Sequence, residues 1–155
     1  DLQQEKVILC ATSHDLCRYM TGGELLKKAR ELNIRIHPME ERIPMLLHGP
    51  VAAEILRNHG LDDLAVYEGI YYHSTGHSGL DPISKAVFLA DKLDPAKTNQ
   101  YPFARNLKSK ALKDLDSALL EFLTGQMDSF LQKGQLIHPS SIKARNDLIL
   151  NSTRW

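Results

Sequence analysis

A chain of 155 residues is the length of one ordinary domain and can bury a core, and its 19 lysines and arginines balance its 19 aspartates and glutamates. That balance leaves no net field to gather nucleic acid or an anionic membrane surface, and no apolar segment has the length to cross a bilayer. The opening Asp1-Leu2-Gln3-Gln4-Glu5 lacks the charged and apolar regions of a signal peptide, so a cytoplasmic protein is expected. The first residue is not Met, which fits a fragment, a processed chain or part of a longer protein. Cys10 and Cys17 lie seven apart in one helical pattern; they build neither a disulfide framework nor a zinc knuckle and read as buried free thiols.

Apolar residues recur at three- and four-residue spacings without sustained alternation, which predicts an all-α fold in a single domain over residues 1–155. The first helix, from Lys6 to Leu16, should bury Val7, Ile8, Cys10 and Ala11. Thr21-Gly22-Gly23-Glu24 has the capping-box spacing and opens a helix through about Leu32. A link with Pro38 and Pro44 leads to a helix that stops at His59-Gly60, where Gly60 suits a left-handed cap. Asp62 can cap the next helix, which reaches Tyr72. The loop Tyr72-His73-Ser74-Thr75-Gly76-His77-Ser78-Gly79 follows, and Asp81-Pro82 starts a helix that carries Asp91 and ends near Asp94-Pro95. After an irregular stretch around Asn99-Gln100-Tyr101-Pro102 come a long helix ending near Gly134 and a last one entered at His138-Pro139. Trp155 reads as a disordered end, and no repeats occur.

The chemistry sits where metal-binding residue types fall on apolar faces. His14-Asp15 closes an oily helix, His48 follows Met45-Leu46-Leu47, His73 ends Ile70-Tyr71-Tyr72, and Asp91 stands four residues after Val87 on the buried side of its helix. A lone histidine on such a face is usually a hydrogen-bonded core residue; histidines and aspartates recurring in this way over several helices suggest more. A carboxylate buried without a partner costs several kcal/mol, so Asp15 and Asp91 need cations, and no lysine or arginine is obviously placed to supply them. A metal meets that need. Imidazole and carboxylate donors without thiolate suit iron, manganese, cobalt or zinc and argue against a sulfur-ligated structural zinc.

Taken in order, His14-Asp15, Leu46-Leu47-His48-Gly49-Pro50-Val51, Tyr72-His73-Ser74-Thr75-Gly76 and Phe88-Leu89-Ala90-Asp91-Lys92 resemble the HD superfamily of metal-dependent phosphohydrolases. More narrowly, they resemble the YqeK-like bacterial symmetrical diadenosine tetraphosphate hydrolases, as do Lys133-Gly134-Gln135-Leu136-Ile137-His138-Pro139 and Ala144-Arg145-Asn146 near the end. The resemblance implies an HD-type helical bundle with two divalent metal ions, usually iron, that cuts diadenosine tetraphosphate into two ADP. Carried onto this chain, the ligands are His14, Asp15, His48, His73 and Asp91. Asp15 bridges, His48 and His73 hold one ion, and His14 and Asp91 hold the other. The family's first metal-binding histidine lies on a helix before the His-Asp helix, so this chain is expected to lack that ligand and that core helix.

In such a centre, cations roughly 3.5–4 Å apart acidify a bridging water and neutralise phosphoryl charge. Arg18, one turn after His14, is the candidate catalytic and phosphate-holding partner of Asp15, against a reading as a solvated helix-end arginine. His77, Lys85, Lys92, His138 and Arg145 are substrate-binding candidates, each with a plainer reading as a solvated or capping side chain. Tyr71, Tyr72, Tyr101 and Phe103 could stack on adenine, although core or dimer contacts are the commoner use of such aromatics. The expected partners are a dinucleoside polyphosphate, its ADP product and a second copy in a homodimer. Two alternatives stay open: an HD phosphohydrolase acting on another nucleotide or phosphate ester, and a helical nucleotide- or metal-binding module that does not turn over.

Overall fold

The computed structural model describes residues 2–97 and 99–152, and every regular element among them is helical. Trp155 lies outside the described residues. The chain divides into two compact units, Asp1–Ser74 and Thr75–Trp155.

The first unit holds α1 (Leu2–Ser13), α2 (Gly22–Glu31), α3 (Pro38–Arg42), a 3-10 turn at Pro44–Leu47, α4 (His48–Asn58) and α5 (Leu64–Tyr71). Thr21 forms the expected capping box: its hydroxyl accepts from the Glu24 amide at 3.4 Å, and the Glu24 carboxylate accepts from the Thr21 amide at 2.7 Å. α3 is an addition to the predicted link, made by a second box in which the His37 ring accepts from the Met39 amide and Glu40 accepts from the His37 amide. The cap of α5 is Asp63, not Asp62, because it is the Asp63 carboxylate that accepts from the Val66 amide three residues on, at 3.0 Å. α1 and α4 both pack on α5, around Cys10, Leu25, Leu47, Val51, Val66 and Ile70. The expected stripe on α1 is corrected as well. Cys10 is buried, but Ile8 is 53% exposed and Ala11 lies on the surface, because the face that meets α5 carries Cys10, whose thiol donates to the Val66 carbonyl at 3.5 Å.

The second unit opens with a loop whose turns need Gly76 (φ +69°) and Gly79 (φ +74°). α6 (Pro82–Lys92) follows, with Asp81 accepting from the Ile83 and Ser84 amides at 2.6 and 3.0 Å. Then come α7 (Leu107–Ala111), α8 (Leu115–Gln132) and α9 (Pro139–Leu150). α7 is a short helix that the apolar pattern does not announce, cut off from α8 by Asp114, which caps α8 through the Ser117 amide. α6, α7 and α9 pack against α8 around Phe88, Leu107, Leu119, Phe122, Leu123 and Ala144, with Phe88 edge-on to Phe122 at 5.7 Å. α9 ties down the loop: Ser141 donates to the Thr75 carbonyl at 2.6 Å, and the Gly79 amide donates to Asp147 at 3.0 Å. Among the described residues no helix is long and apolar enough to cross a membrane.

Candidate metal centre

Three histidines of the first unit are held in the same way. The Nδ1 atoms of His14, His48 and His73 face the carbonyls three residues back, at Ala11 (2.9 Å), Met45 (2.5 Å) and Ile70 (2.8 Å). A carbonyl only accepts, so each Nδ1 carries the proton and each ring turns its Nε2 outward. His14 stands just beyond the end of α1, His48 opens α4 from the 3-10 turn, and His73 follows the C-terminus of α5. This is the carbonyl-anchored arrangement found behind metal-ligating histidines.

His48 and His73 are buried, and their Nε2 atoms lie 2.8 Å apart. Asp15 Oδ1 is 3.1 Å from His48 Nε2 and 3.6 Å from His73 Nε2. The Ser74 hydroxyl reaches His73 Nε2 at 3.2 Å. His14 joins them, with its Nε2 3.7 Å from Asp15 Oδ2 and its ring edge-on to His73 at 4.9 Å. Burial pushes His48 down to about 4, against the pull of the Met45 carbonyl, so its ring is neutral near pH 7. Its one proton is on Nδ1, and Nε2 therefore aims a lone pair at a carboxylate and a second imidazole. Electron-pair donors converging at such distances call for a cation among them. The donors are nitrogen and oxygen without sulfur, and Asp15, His48 and His73 could hold a divalent metal ion.

Gly49 stands in the motif at residues 46–51, but had no role in the site on sequence alone. A Cβ on Gly49 would lie 2.8 Å from the Ile70 carbonyl oxygen and 3.0 Å from two atoms of the His73 ring. Only glycine lets α4 come this close to the end of α5, and so brings His48 against His73. The signal was a glycine in the first turn of an apolar helix, where it costs about 1 kcal/mol relative to alanine and needs a reason.

Arg18 is half-exposed, its guanidinium 3.8 Å from Asp15 Oδ1. The other candidates belong to the second unit. Asp91 does have local cations, which corrects the expectation that none was placed for it. Lys92 Nζ bonds its Oδ2 at 2.7 Å, and Lys97 Nζ bonds its Oδ1. Lys97 gave no sequence signal. Lys85 is paired with Asp116 at 2.6 Å, and Arg145 donates to the Thr124 hydroxyl at 3.0 Å. His138 caps α9, its Nδ1 accepting from the Ser140 amide at 3.2 Å, and His77 Nδ1 faces the Ser78 carbonyl at 2.5 Å. Tyr101 and Phe103 pack on the buried Phe122, Tyr101 partly buried and Phe103 37% exposed.

A helical chain that gathers histidine and aspartate donors around one point belongs to the class of hydrolase domains that bind divalent metals through such residues. The HD domain family matches residues 1–96, and the chain belongs to that family. It is 30% identical over 152 residues to the symmetrical bis(5'-nucleosyl)-tetraphosphatase of Halalkalibacterium halodurans, covering 95% of this chain and 78% of that one. The Bacillus subtilis protein of the same name is 25% identical, with 96% and 78% covered. A crystal structure from Clostridium acetobutylicum, described as an HD superfamily hydrolase involved in NAD metabolism, superposes with a TM-score of 0.84 at 25% identity, over 96% of this chain and 78% of that one.

Proposed function

We propose that the chain hydrolyses diadenosine tetraphosphate symmetrically into two ADP, using divalent ions, iron first among them. The observation that carries this reading is the convergence of Asp15 Oδ1 and the Nε2 atoms of His48 and His73, in a chain similar to two proteins bearing that activity in their names. In the reaction, a water oxygen bonds to one of the inner phosphorus atoms, the oxygen bridging the inner pair leaves with the other ADP, and that oxygen takes up a proton. Bound ions, held by Asp15, His48 and His73 with His14 and Asp91 as the further ligands that the HD resemblance implies, would acidify the attacking water and neutralise phosphoryl charge.

The chain's own residues supply position and protons. The carbonyl anchors on the histidine Nδ1 atoms fix the donor atoms before any ligand arrives. Arg18, at the exposed side of Asp15, suits a fork on phosphoryl oxygens, which it can hold without moving the buried donors. His77 is the candidate to protonate the leaving oxygen; with its Nδ1 proton committed to the Ser78 carbonyl, it would have to act as the imidazolium, giving up the proton on Nε2. At Lys85 and Arg145 a substrate phosphate would compete with Asp116 and Thr124 respectively, whereas His138, with Nδ1 accepting at the α9 cap, would donate to phosphate from Nε2. The HD match crosses the boundary between the two compact units, which supports reading the chain as one HD-type domain. The same reading places the enzyme in the cytoplasm, as a homodimer without a nucleic-acid partner. The description of the Clostridium neighbour favours one other substrate class, a nucleotide of NAD metabolism.

Metal analysis after anaerobic purification tests the site. About two transition-metal ions per chain are expected, with loss of metal and of turnover in His48→Ala. A wild-type chain without metal, together with His48→Ala that keeps stability and nucleotide binding, would replace this reading with that of a binding module.

A further inference from the structure

A cavity of about 200 Å³ in the second unit is lined by Lys92, Asp94, Tyr101, Ala104, Arg105 and Lys108, so that three cations face one carboxylate in a chain of zero net charge. The backbone aims those cations. Ala104 and Leu107 are buried in the core beside Phe122, and the residue after each, Arg105 and Lys108, is turned to the surface. Among the described residues neither Arg105 nor Lys108 is ion-paired, whereas Asp94 already accepts from the Ala96 amide at 2.8 Å. Lys92 is 7% exposed, and its ammonium lies 5.0 Å from the centre of the Phe88 ring and 2.7 Å from an Asp91 oxygen. Asp91 also serves Lys97, so one carboxylate is shared by two ammonium groups, of which Lys92 lines the cavity. Tyr101 forms a rigid wall, fixed edge-on against Phe122 at 5.1 Å.

We propose that this cavity is an anion site that takes the phosphate or diphosphate group of a nucleotide. Its volume is below the roughly 300 Å³ at which pockets for drug-sized ligands begin, which suits phosphoryl groups with the nucleoside left outside. Arg105 offers the planar fork for phosphoryl oxygens, while Lys92 and Lys108 act as point charges from the floor and the rim. The role of the site in turnover rests on the proposed function; the binding itself does not.

Calorimetric titration of the full, metal-loaded chain with inorganic phosphate, ADP and adenosine tests the site against Arg105→Ala/Lys108→Ala. Both positions are exposed, and circular dichroism will show that the fold is kept. The double variant should bind inorganic phosphate and ADP at least about tenfold more weakly, with adenosine unchanged and with less sensitivity to salt than the wild type. Arg105→Glu/Lys108→Glu should weaken both anions further. Phosphate and ADP affinities within about twofold of wild type in the double variant would overturn the site, and weakened phosphate with unchanged ADP would overturn its assignment to a nucleotide. Hydrolysis separates the two readings: a wild-type chain that does not cleave diadenosine tetraphosphate sinks the proposed function, while the change in ADP affinity alone decides this site. Where turnover is present, the double variant should raise KM about tenfold and leave kcat within about twofold.

Discussion

Replacing Gly49 by alanine tests whether close backbone approach builds the metal centre. The new methyl would sit 2.8 Å from the Ile70 carbonyl oxygen and 3.0 Å from Cε1 and Nδ1 of His73. These two partners also bond each other, His73 Nδ1 to Ile70 O at 2.8 Å, so the methyl presses on the anchor that orients the ring. One obstacle is backbone and the other a ring buried against His48, and neither swings aside as the tip of a long side chain would. Overpacking of this kind costs about 1–3 kcal/mol, and the better helix propensity of alanine offsets about 1 kcal/mol. A net loss of about 1 kcal/mol is expected in urea unfolding of the metal-free chain. The larger effect should be on the site, because moving His73 by a few tenths of an ångström separates Nε2 atoms that stand 2.8 Å apart. Metal content should fall to half or less of the wild-type value, with turnover falling at least tenfold. A variant about 1 kcal/mol more stable than wild type with full metal content would show only the helix-propensity gain and refute the reasoning.

Other perturbations act on separate parts of the account. Arg18→Ala, at an exposed position, should leave stability within about 0.5 kcal/mol and lower kcat/KM for diadenosine tetraphosphate by roughly 10- to 100-fold; steady-state kinetics unchanged from wild type would remove Arg18 from the site. Asp91→Asn takes the carboxylate from the buried Lys92, and a loss of about 3 kcal/mol is expected, at the low end for a broken buried pair because Lys97 is a quarter exposed. Denaturant unfolding that shows a loss below about 1 kcal/mol would mean that the lysines find other partners at little cost. In chelator-treated protein, His48 has a folded-state pKa near 4 against 6.5 when unfolded, so the unfolded chain takes up the proton first as pH falls. Its contribution is complete above about pH 6.5 and declines to about pH 4, a loss of about 3 kcal/mol in unfolding free energy that His48→Gln should reduce. Equal slopes for wild type and variant over that window would show that His48 is not held neutral.

Short-range chemistry was legible before the structure was known. The Thr21 box, the Asp81-Pro82 start and the left-handed Gly60 all follow from side chains within four residues of the backbone they serve. His14-Asp15, His48 and His73 stood out in the sequence as donors on apolar faces in the order of the HD motifs, while the carbonyl of its own turn that anchors each ring is seen only in the structure. What depends on distant packing was not legible. Ile8 continues the apolar period of α1, yet it faces outward because α5 covers only the face bearing Cys10. Lys97 reaches Asp91 from beyond the end of α6, and nothing in Pro95-Ala96-Lys97 marks a lysine as an inward-reaching partner. Gly49 shows its purpose only once Ile70 and His73 stand beside it. Asp62 was the expected cap of α5, and the geometry of the first helical turn gives that role to Asp63 instead.

The most direct test of the account is chromatography of the nucleotides formed when the anaerobically purified, metal-loaded chain is given diadenosine tetraphosphate. ADP as the sole nucleotide product, absent with His73→Ala, is the result predicted from the His/Asp centre. ATP with AMP, no product, or full turnover by His73→Ala would contradict it.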